Sequence, residues 1–529
     1  MSDNSATSSP LRVEDAGDGF VRVIFEHGGA PVNRIDRQVL EALGGILDRL
    51  EAEPPAGVVF TSARDHFCVG ADVGLIAALT GADDARQGSR AGQELFARIE
   101  ALRCPTVAAV RGTCLGGGME WSLACDRIIA ADAPDTRLGL PEVQLGILPA
   151  WGGTQRLPAR MGLGPAVEMM ASGRRLPAAP ARAKGLVDAV VPAGDLERAA
   201  LEEVRRLAGA HPGGKVPRVR ARGPVGTLTR LLPPVRAFVF GQVRKAIAKK
   251  AGHHYPAPLA IVDAVEAGFR GDRAAGYRRE QELFAELALG PVSRNLVGLF
   301  QLTQEARRWY ADEEARAADR PVRTVAVLGA GVMGAGIARL AAENGVDVVL
   351  RDVAPPALEA GMARIRGELD KKVERGRLQA SEREAILARI KPTADVSPLA
   401  GADLIVEAVI EDLDLKRRVL QEAENAAPEA LLASNTSALP IGEMATALSR
   451  PERLAGLHFF NPVERMPLVE VVAAPAAAPE TVGALLTLVR RLGKTPVRVS
   501  DTPGFLVNRV LSIYLGEALL QVEEGVDIA

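Results

Sequence analysis

Short apolar runs alternate with longer amphipathic stretches over residues 1–200, a pattern of strands and helices in turn. Gly57-Val58-Val59-Phe60 and Thr106-Val107-Ala108-Ala109-Val110 read as buried strands, the second leading into a glycine turn. Gly185 to Pro192 closes this part. Leu259, Val262, Val265 and Phe269 then recur at helical spacing, opening a helical stretch from His254 to about Asp319. A third region begins with the apolar strand Arg323 to Leu328. It runs into Gly329-Ala330-Gly331-Val332-Met333-Gly334, a helix ending at Asn344-Gly345, and a strand from Val346 to Leu350. The expected class is α/β.

At 529 residues the chain has length for about three to four domains. A net charge of −2 gives no bulk attraction to nucleic acid. Met1 to Pro10 lacks the basic start and apolar core of a signal peptide, and no run of about 18 apolar residues suggests a membrane span. Cys68, Cys104, Cys114 and Cys125 form no CxxC pair and read as reduced, partly buried thiols, with no metal site. A cytoplasmic protein is expected. Between Val204 and Val262 there is no acidic residue against twelve Lys and Arg. Two readings stand: a solvated connector, or cations that meet coenzyme A phosphates or an anionic partner.

The first chemistry lies in Phe67-Cys68-Val69-Gly70-Ala71-Asp72, Gly116-Gly117-Gly118-Met119-Glu120, Gly139-Leu140-Pro141-Glu142 and Trp151-Gly152-Gly153-Thr154-Gln155-Arg156. Adjacent glycines leave backbone N–H groups open to a ligand, because no Cβ intervenes. The 67–72 segment is expected to be a second exposed turn. Glu120 and Glu142 supply a paired acid and base, which water addition to a polarised double bond requires.

From about Val32 to Pro192 these four motifs resemble the enoyl-CoA hydratase (crotonase) family. The resemblance implies an oxyanion hole from the N–H groups of Ala71 and Gly117. It implies that Glu120 and Glu142 hold the water that adds across a 2-enoyl thioester. Ala150, where the family often has glycine, is a departure expected to be tolerated.

The second chemistry starts with the GxGxxG turn between strand and helix, with Asp352 about twenty residues on. Gly329, Gly331, Met333 and Gly334 would line a pyrophosphate at the helix N-terminus. Asp352 favours NAD over NADP, with Arg351 beside it leaving NADP open. His458 ends an apolar strand, and Glu470 follows twelve residues later. Together with Glu407 to Lys416, Ala433-Ser434-Asn435-Thr436-Ser437 and Asp501 to Arg509, these segments resemble 3-hydroxyacyl-CoA dehydrogenase over about 321–529. The resemblance implies that His458 takes the 3-hydroxyl proton and that Glu470 orients its imidazole. Ser437 and Asn508 would position the substrate. Glu411, Lys416 and Asn435 would line the cofactor site.

As a whole the chain resembles the α-subunit type of bacterial fatty-acid oxidation complex. That implies a crotonase-like domain at 1–200, a basic then helical linker at 201–320, a Rossmann NAD-binding domain at 321–502, and the start of a helical domain at 503–529. The family continues well past the Asn508 segment, whereas this chain stops at Ala529, so a truncated helical domain with a poorly anchored Asn508 is expected. Acyl-CoA substrates, a thiolase subunit as partner and an oligomer are the expected company. Two rivals remain: a hydratase or isomerase whose dehydrogenase half binds NAD without turnover, and a non-catalytic scaffold that docks thiolase.

Overall fold

The computed structural model describes residues 9–28, 32–213, 216–219, 232–252, 254–270, 272–306, 308–317, 320–375 and 378–528. It divides into two compact units, Met1–Phe300 and Gln301–Ala529. Lys215, Arg220, Arg222 and Arg230 of the basic stretch lie outside the described residues, as do Asp319 and Ala529.

The first unit is built on a six-stranded sheet. Its order is Leu11–Asp15, Phe20–Phe25, Gly57–Ser62, Thr106–Val110, Arg127–Asp132 and Ala189–Pro192. Only the first pair is antiparallel. Gly57–Ser62 and Thr106–Val110 are buried along their whole length, as strands covered on both faces must be. Helix Arg37–Ala52 starts at Asp36, whose side chain accepts from the Val39 N–H at 3.0 Å. Trp121 anchors the core. Phe25, Phe60, Phe67 and Phe96 surround its ring at 5.5–6.4 Å between centroids. Truncating so large a buried ring costs about 3–5 kcal/mol.

A short two-stranded ladder, Thr113–Leu115 with Arg137–Gly139, carries the glycine turn. Phe67 and Cys68 join it. The Cys68 N–H donates to Thr113 at 3.1 Å, and the Leu115 N–H donates back to Cys68 at 3.0 Å. The 67–72 segment is therefore not the exposed turn its composition suggested. Phe67, Cys68 and Gly70 are buried, and Val69, Ala71 and Asp72 are only partly exposed. All four cysteines are buried free thiols, and burial pushes Cys68 and Cys104 up to about 12.

The helical stretch expected as a linker is instead four helices among the described residues: Ala257–Arg270, Arg273–Ala288, Pro291–Ala306 and Ala311–Arg316. The first two belong to the core of the first unit, where Ile261, Val262, Val265, Leu283, Phe284 and Leu287 are buried. Their apolar stripe faces this core. Periodicity reveals that a stripe exists but not what covers it.

The second unit has an eight-stranded sheet. Its order is Ile390–Thr393, Asp347–Arg351, Thr324–Leu328, Leu404–Glu407, Leu431–Ser434, Leu454–Phe459, Leu468–Ala473 and Thr495–Ser500. All pairs are parallel except Leu454–Phe459 with Leu468–Ala473. That antiparallel register sets His458 directly opposite Glu470. The buried side chains form two clusters, and neighbours along Thr324–Leu328 alternate between them. Helix Val507–Glu523 follows the last strand and has no buried residue.

Candidate active sites

Glu120 sits on the short helix Gly117–Ala124, all of whose residues are buried. Its Oε1 accepts the N–H groups of Trp151 at 2.8 Å and Gly153 at 2.7 Å. Gly153 is needed for this approach, because a Cβ there would stand 2.9 Å from that oxygen. Glu142 opens the 3-10 helix Glu142–Leu145 and comes up against the glycine turn, its Oε1 lying 3.3 Å from where a Gly116 Cβ would be. Both Glu142 carboxylate oxygens are buried with no protein partner.

Burial, then the neighbouring charges of Glu142 and Glu280, push the Glu120 carboxyl well above the usual range. Burial, with the charge of Glu280, raises Glu142 to about 8. An acid whose oxygens are buried and unpaired, and which is easily protonated, is suited to exchanging a proton with a bound molecule.

The Gly70 and Gly116 turns lie side by side, with a Gly116 Cβ only 3.6 Å from the Gly70 Cα. The Ile35 N–H donates to Gly70 and the Asp72 N–H to Ile35, both at 2.9 Å, so the Ala71 N–H faces away from Ile35. Gly117 is the first residue of its helix, where an N–H has no intrahelical acceptor. The two proposed oxyanion donors thus come from adjoining turns. Ala150 is accommodated, and its carbonyl accepts from the Ser89 hydroxyl at 2.6 Å.

In the second unit the Nδ1 of His458 and the Oε2 of Glu470 are 2.7 Å apart and buried. The other Glu470 oxygen accepts the N–H groups of Leu506 at 3.1 Å and Val507 at 2.9 Å. Burial opposes ionisation of Glu470, but the bonds from His458 and these N–H groups outweigh it and hold the carboxyl below its ordinary value. Asn508 follows directly, and its Nδ2 donates to the Ser437 carbonyl at 3.0 Å. Asn508 is therefore anchored, contrary to the sequence expectation. The Glu470 carboxylate and Ser437 hold the segment from within this unit.

Residues 22–214 match the family model described as enoyl-CoA hydratase/isomerase, and residues 324–502 match that of 3-hydroxyacyl-CoA dehydrogenase, NAD binding domain. Among solved structures, FadB2 of M. tuberculosis is 39% identical over 39% of this chain and 73% of its own, with a TM-score of 0.38. (S)-3-hydroxybutyryl-CoA dehydrogenase from Ralstonia eutropha is 37% identical over 39% of this chain and 72% of its own, with a TM-score of 0.38. A 3-hydroxybutyryl-CoA dehydrogenase from Escherichia coli is 45% identical over 39% of this chain and 44% of its own, again at 0.38. The chain belongs to the enoyl-CoA hydratase/3-hydroxyacyl-CoA dehydrogenase multifunctional enzymes.

The dehydrogenase part of this multifunctional enzyme binds NAD, and its residues fit that cofactor. Gly329 turns at a φ of 104°, and a Gly334 Cβ would fall 1.8 Å from the Gly329 carbonyl, so helix and strand meet as closely as a pyrophosphate seat demands. A Cβ at Gly331 would meet open space. Asp352 stands at the strand end and accepts the Ala330 N–H at 2.8 Å. Arg351 is turned away from the ribose position. It is buried, with both terminal nitrogens on Glu422 at 3.0 and 3.1 Å, so the cation that left NADP open is already paired. Val353 and Ile410, 75% and 73% exposed, follow the ends of Asp347–Arg351 and Leu404–Glu407, the two strands that flank Thr324–Leu328, and offer apolar surface to a flat base. The sequence signal for Val353 was its place directly after Asp352.

Met333 is half-buried against the core. Lys416 is only 1% exposed, with its Nζ 2.8 Å from Glu407 and 3.3 Å from Glu411. Glu411 in turn accepts the Ser437 N–H at 2.8 Å and hydroxyl at 3.0 Å. Asn435 accepts the Phe459 N–H at 2.9 Å. These residues brace one another around the 433–437 turn, and Lys416 is a buried ion-pair partner in that network.

Sequence reasoning missed Glu280, on helix Arg273–Ala288. It is fully buried beside Glu120 and Glu142, more than a hundred residues from either along the chain. No local motif marks it.

Proposed function

We propose that the enzyme serves fatty-acid β-oxidation, hydrating trans-2-enoyl-CoA to (3S)-hydroxyacyl-CoA and oxidising that product to 3-oxoacyl-CoA. The observation that carries the first step is the pair of buried, proton-retaining carboxyls at Glu120 and Glu142, with Glu142 unpartnered by protein. In this reading the N–H groups of Ala71 and Gly117 bind the thioester oxygen as negative charge grows there. Glu120 and Glu142 hold one water. Its hydroxyl goes to the β-carbon, and a proton goes to the α-carbon, so the water is added entire.

For the second step, His458 takes the proton of the 3-hydroxyl on its Nε2, while Glu470 fixes Nδ1 as the protonated nitrogen. The glycine turn at Gly329–Gly334 and Asp352 would hold NAD, which would supply the acceptor for the hydride of C3. Ser437 and Asn508, joined at 3.0 Å, position the substrate oxygens. The reading extends to the cytoplasm and to a thiolase partner. Four free thiols support the first, and a 3-oxoacyl-CoA product, the substrate class of thiolytic cleavage, supports the second.

The test uses the full chain, a medium-chain trans-2-enoyl-CoA and NAD in one cuvette. Loss of the enoyl absorbance with growth of NADH is expected. Loss of the enoyl signal alone would favour the rival in which NAD binds without turnover, and neither change would overturn the proposal.

A further inference from the structure

The turn Trp151-Gly152-Gly153-Thr154 presents four consecutive N–H groups, and two buried carboxylates take them alternately. Glu120 accepts from Trp151 at 2.8 Å and Gly153 at 2.7 Å. Glu280 accepts from Gly152 at 2.7 Å and Thr154 at 3.3 Å. Glu280 also takes the Thr154 hydroxyl, and the Gln93 Nε2 at 2.8 Å. All of its oxygen capacity faces protein donors, and it is fully buried.

The helices around it are shaped for this contact. A Cβ at Gly268 or Gly276 would fall 1.9 or 2.3 Å from the Gln155 amide oxygen, so the two glycines admit Gln155. Its Nε2 then reaches the Ala264 carbonyl at 2.9 Å, tying the turn to helix Ala257–Arg270. Burying a carboxylate is costly unless every acceptor site is filled, and here both oxygens of Glu280 are held by donors of the turn and of Gln93.

We propose that Glu280 is a positioning residue of the hydration site, gripping the outer half of the 151–154 turn so that its inner half presents Glu120 to the substrate. The inference rests on the hydration roles given above to Glu120 and Glu142. Glu280 touches no reacting atom and acts through the turn and through its charge. The charged and titratable groups that share its field are Glu120, Glu142, Arg156 and Tyr277.

Glutamine cannot replace it. Whichever way the amide is turned, an NH2 faces one of the N–H or O–H donors, and at least one bond to the turn is lost. The neighbouring carboxyls also lose a negative charge, which lets them ionise at lower pH.

The experiment compares E280Q, E280D, T154V and E120Q in the full chain, following hydration of a trans-2-enoyl-CoA across pH. E280Q should lower kcat about 10–100-fold with KM within about threefold, and should move the pH profile of kcat to lower pH by about one unit. E280D, which keeps the charge, should recover part of the rate and the original profile. A residue needed only for packing would change the rate or the melting temperature and leave the profile in place.

If E120Q is inactive while E280Q keeps the wild-type rate and profile, the role of Glu280 is overturned. If E120Q itself remains active, the hydration reading fails instead. Should E280Q not fold, T154V decides. It removes one donor to Glu280 and should cost about tenfold in kcat, and a wild-type rate would refute the proposal.

Discussion

Replacing Glu470 by glutamine tests the dehydrogenase reading, because the two oxygens of Glu470 serve two different partners. One is 2.7 Å from His458 Nδ1, and the other accepts the Leu506 and Val507 N–H groups at 3.1 and 2.9 Å. Glutamine has one oxygen to offer. If that oxygen faces Leu506 and Val507, its NH2 meets Nδ1, which must turn into an acceptor. The proton then sits on Nε2, the nitrogen required to be bare. If the amide is reversed, Nδ1 keeps an acceptor, but both backbone N–H groups face an NH2. In either state the carboxylate charge that balances a protonated imidazole is gone.

The pair is buried, with side-chain exposures of 6% for His458 and 0% for Glu470, so solvent cannot substitute for the lost charge. In other His–carboxylate pairs the loss of the orienting charge costs up to about 10⁴ in kcat, and a decade corresponds to about 1.4 kcal/mol. A loss of about 3–6 kcal/mol in transition-state stabilisation, or about 10²–10⁴ in kcat, is expected here. The assay is NADH formation from saturating (3S)-hydroxyacyl-CoA and NAD, with NAD binding measured separately by calorimetry. NAD affinity should hold, since Glu470 is on the far side of the antiparallel pair from the glycine turn. A kcat within about threefold of wild type, with NAD binding intact, would refute the role given to Glu470.

Glu120→Gln should lower hydration by at least about 10²-fold while leaving NADH formation from added 3-hydroxyacyl-CoA unchanged, and parallel assays of the two steps decide this. Gly334→Ala would place a methyl group 1.8 Å from the Gly329 carbonyl, so NAD affinity by calorimetry should fall at least about tenfold. The first unit should lose stability as pH rises, because Glu142 goes from an ordinary 4.5 in the unfolded chain to about 8 in the fold. Between those values the folded state holds the extra proton, so melting temperatures should decline from pH 5 to 8 in wild type and decline less in E142Q. Glu100 is the opposite case. Burial opposes its ionisation, but Arg156, Arg273 and Arg218 hold it at about 2, so its stabilisation is present above 4.5 and is lost on acidification toward 2. Glu100→Ala should destabilise by about 3–5 kcal/mol at neutral pH by chemical denaturation, leaving three cations without their shared partner.

The strands were legible where several signals agreed. Thr106–Val110 is apolar throughout and ends at a glycine turn, and it is a strand with those limits. Thr324–Leu328, the turn at Gly329 and the helix closed by Asn344-Gly345 were likewise readable, since each glycine answers a backbone need close in sequence. The helices after His254 were seen as helices, but that the first two pack into the core of the first unit was not. An apolar stripe is the same whether it covers a neighbouring domain or the chain's own sheet. Glu280 was illegible for a related reason. Its partners are Gln93 and the turn at 152–154, and only the tertiary fold brings a helix at 273–288 to them. Arg351 illustrates the reverse error of proximity. Its place beside Asp352 left NADP open, but alternation along a strand sends adjacent side chains to opposite faces, and Arg351 pairs with Glu422.

What distinguishes the two sites is how each treats a buried glutamate. In the first unit three carboxyls crowd one region and burial raises all of them, with repulsion between carboxylates added at Glu120 and Glu142; Glu280 stands at about 7 and Glu142 at about 8. Such a group holds and releases protons near neutrality, as an acid–base pair working on water must. In the second unit a single glutamate receives a histidine and two backbone N–H groups, and its proton is displaced. It remains an anion across the neutral range, which under the proposed mechanism leaves proton transfer to the imidazole. The residue type is the same in both places. Its role is set by the charged neighbour, other carboxyls in the first unit and a histidine in the second, and that follows from the packing of helix Arg273–Ala288 in one and from the ladder register at 458–470 in the other.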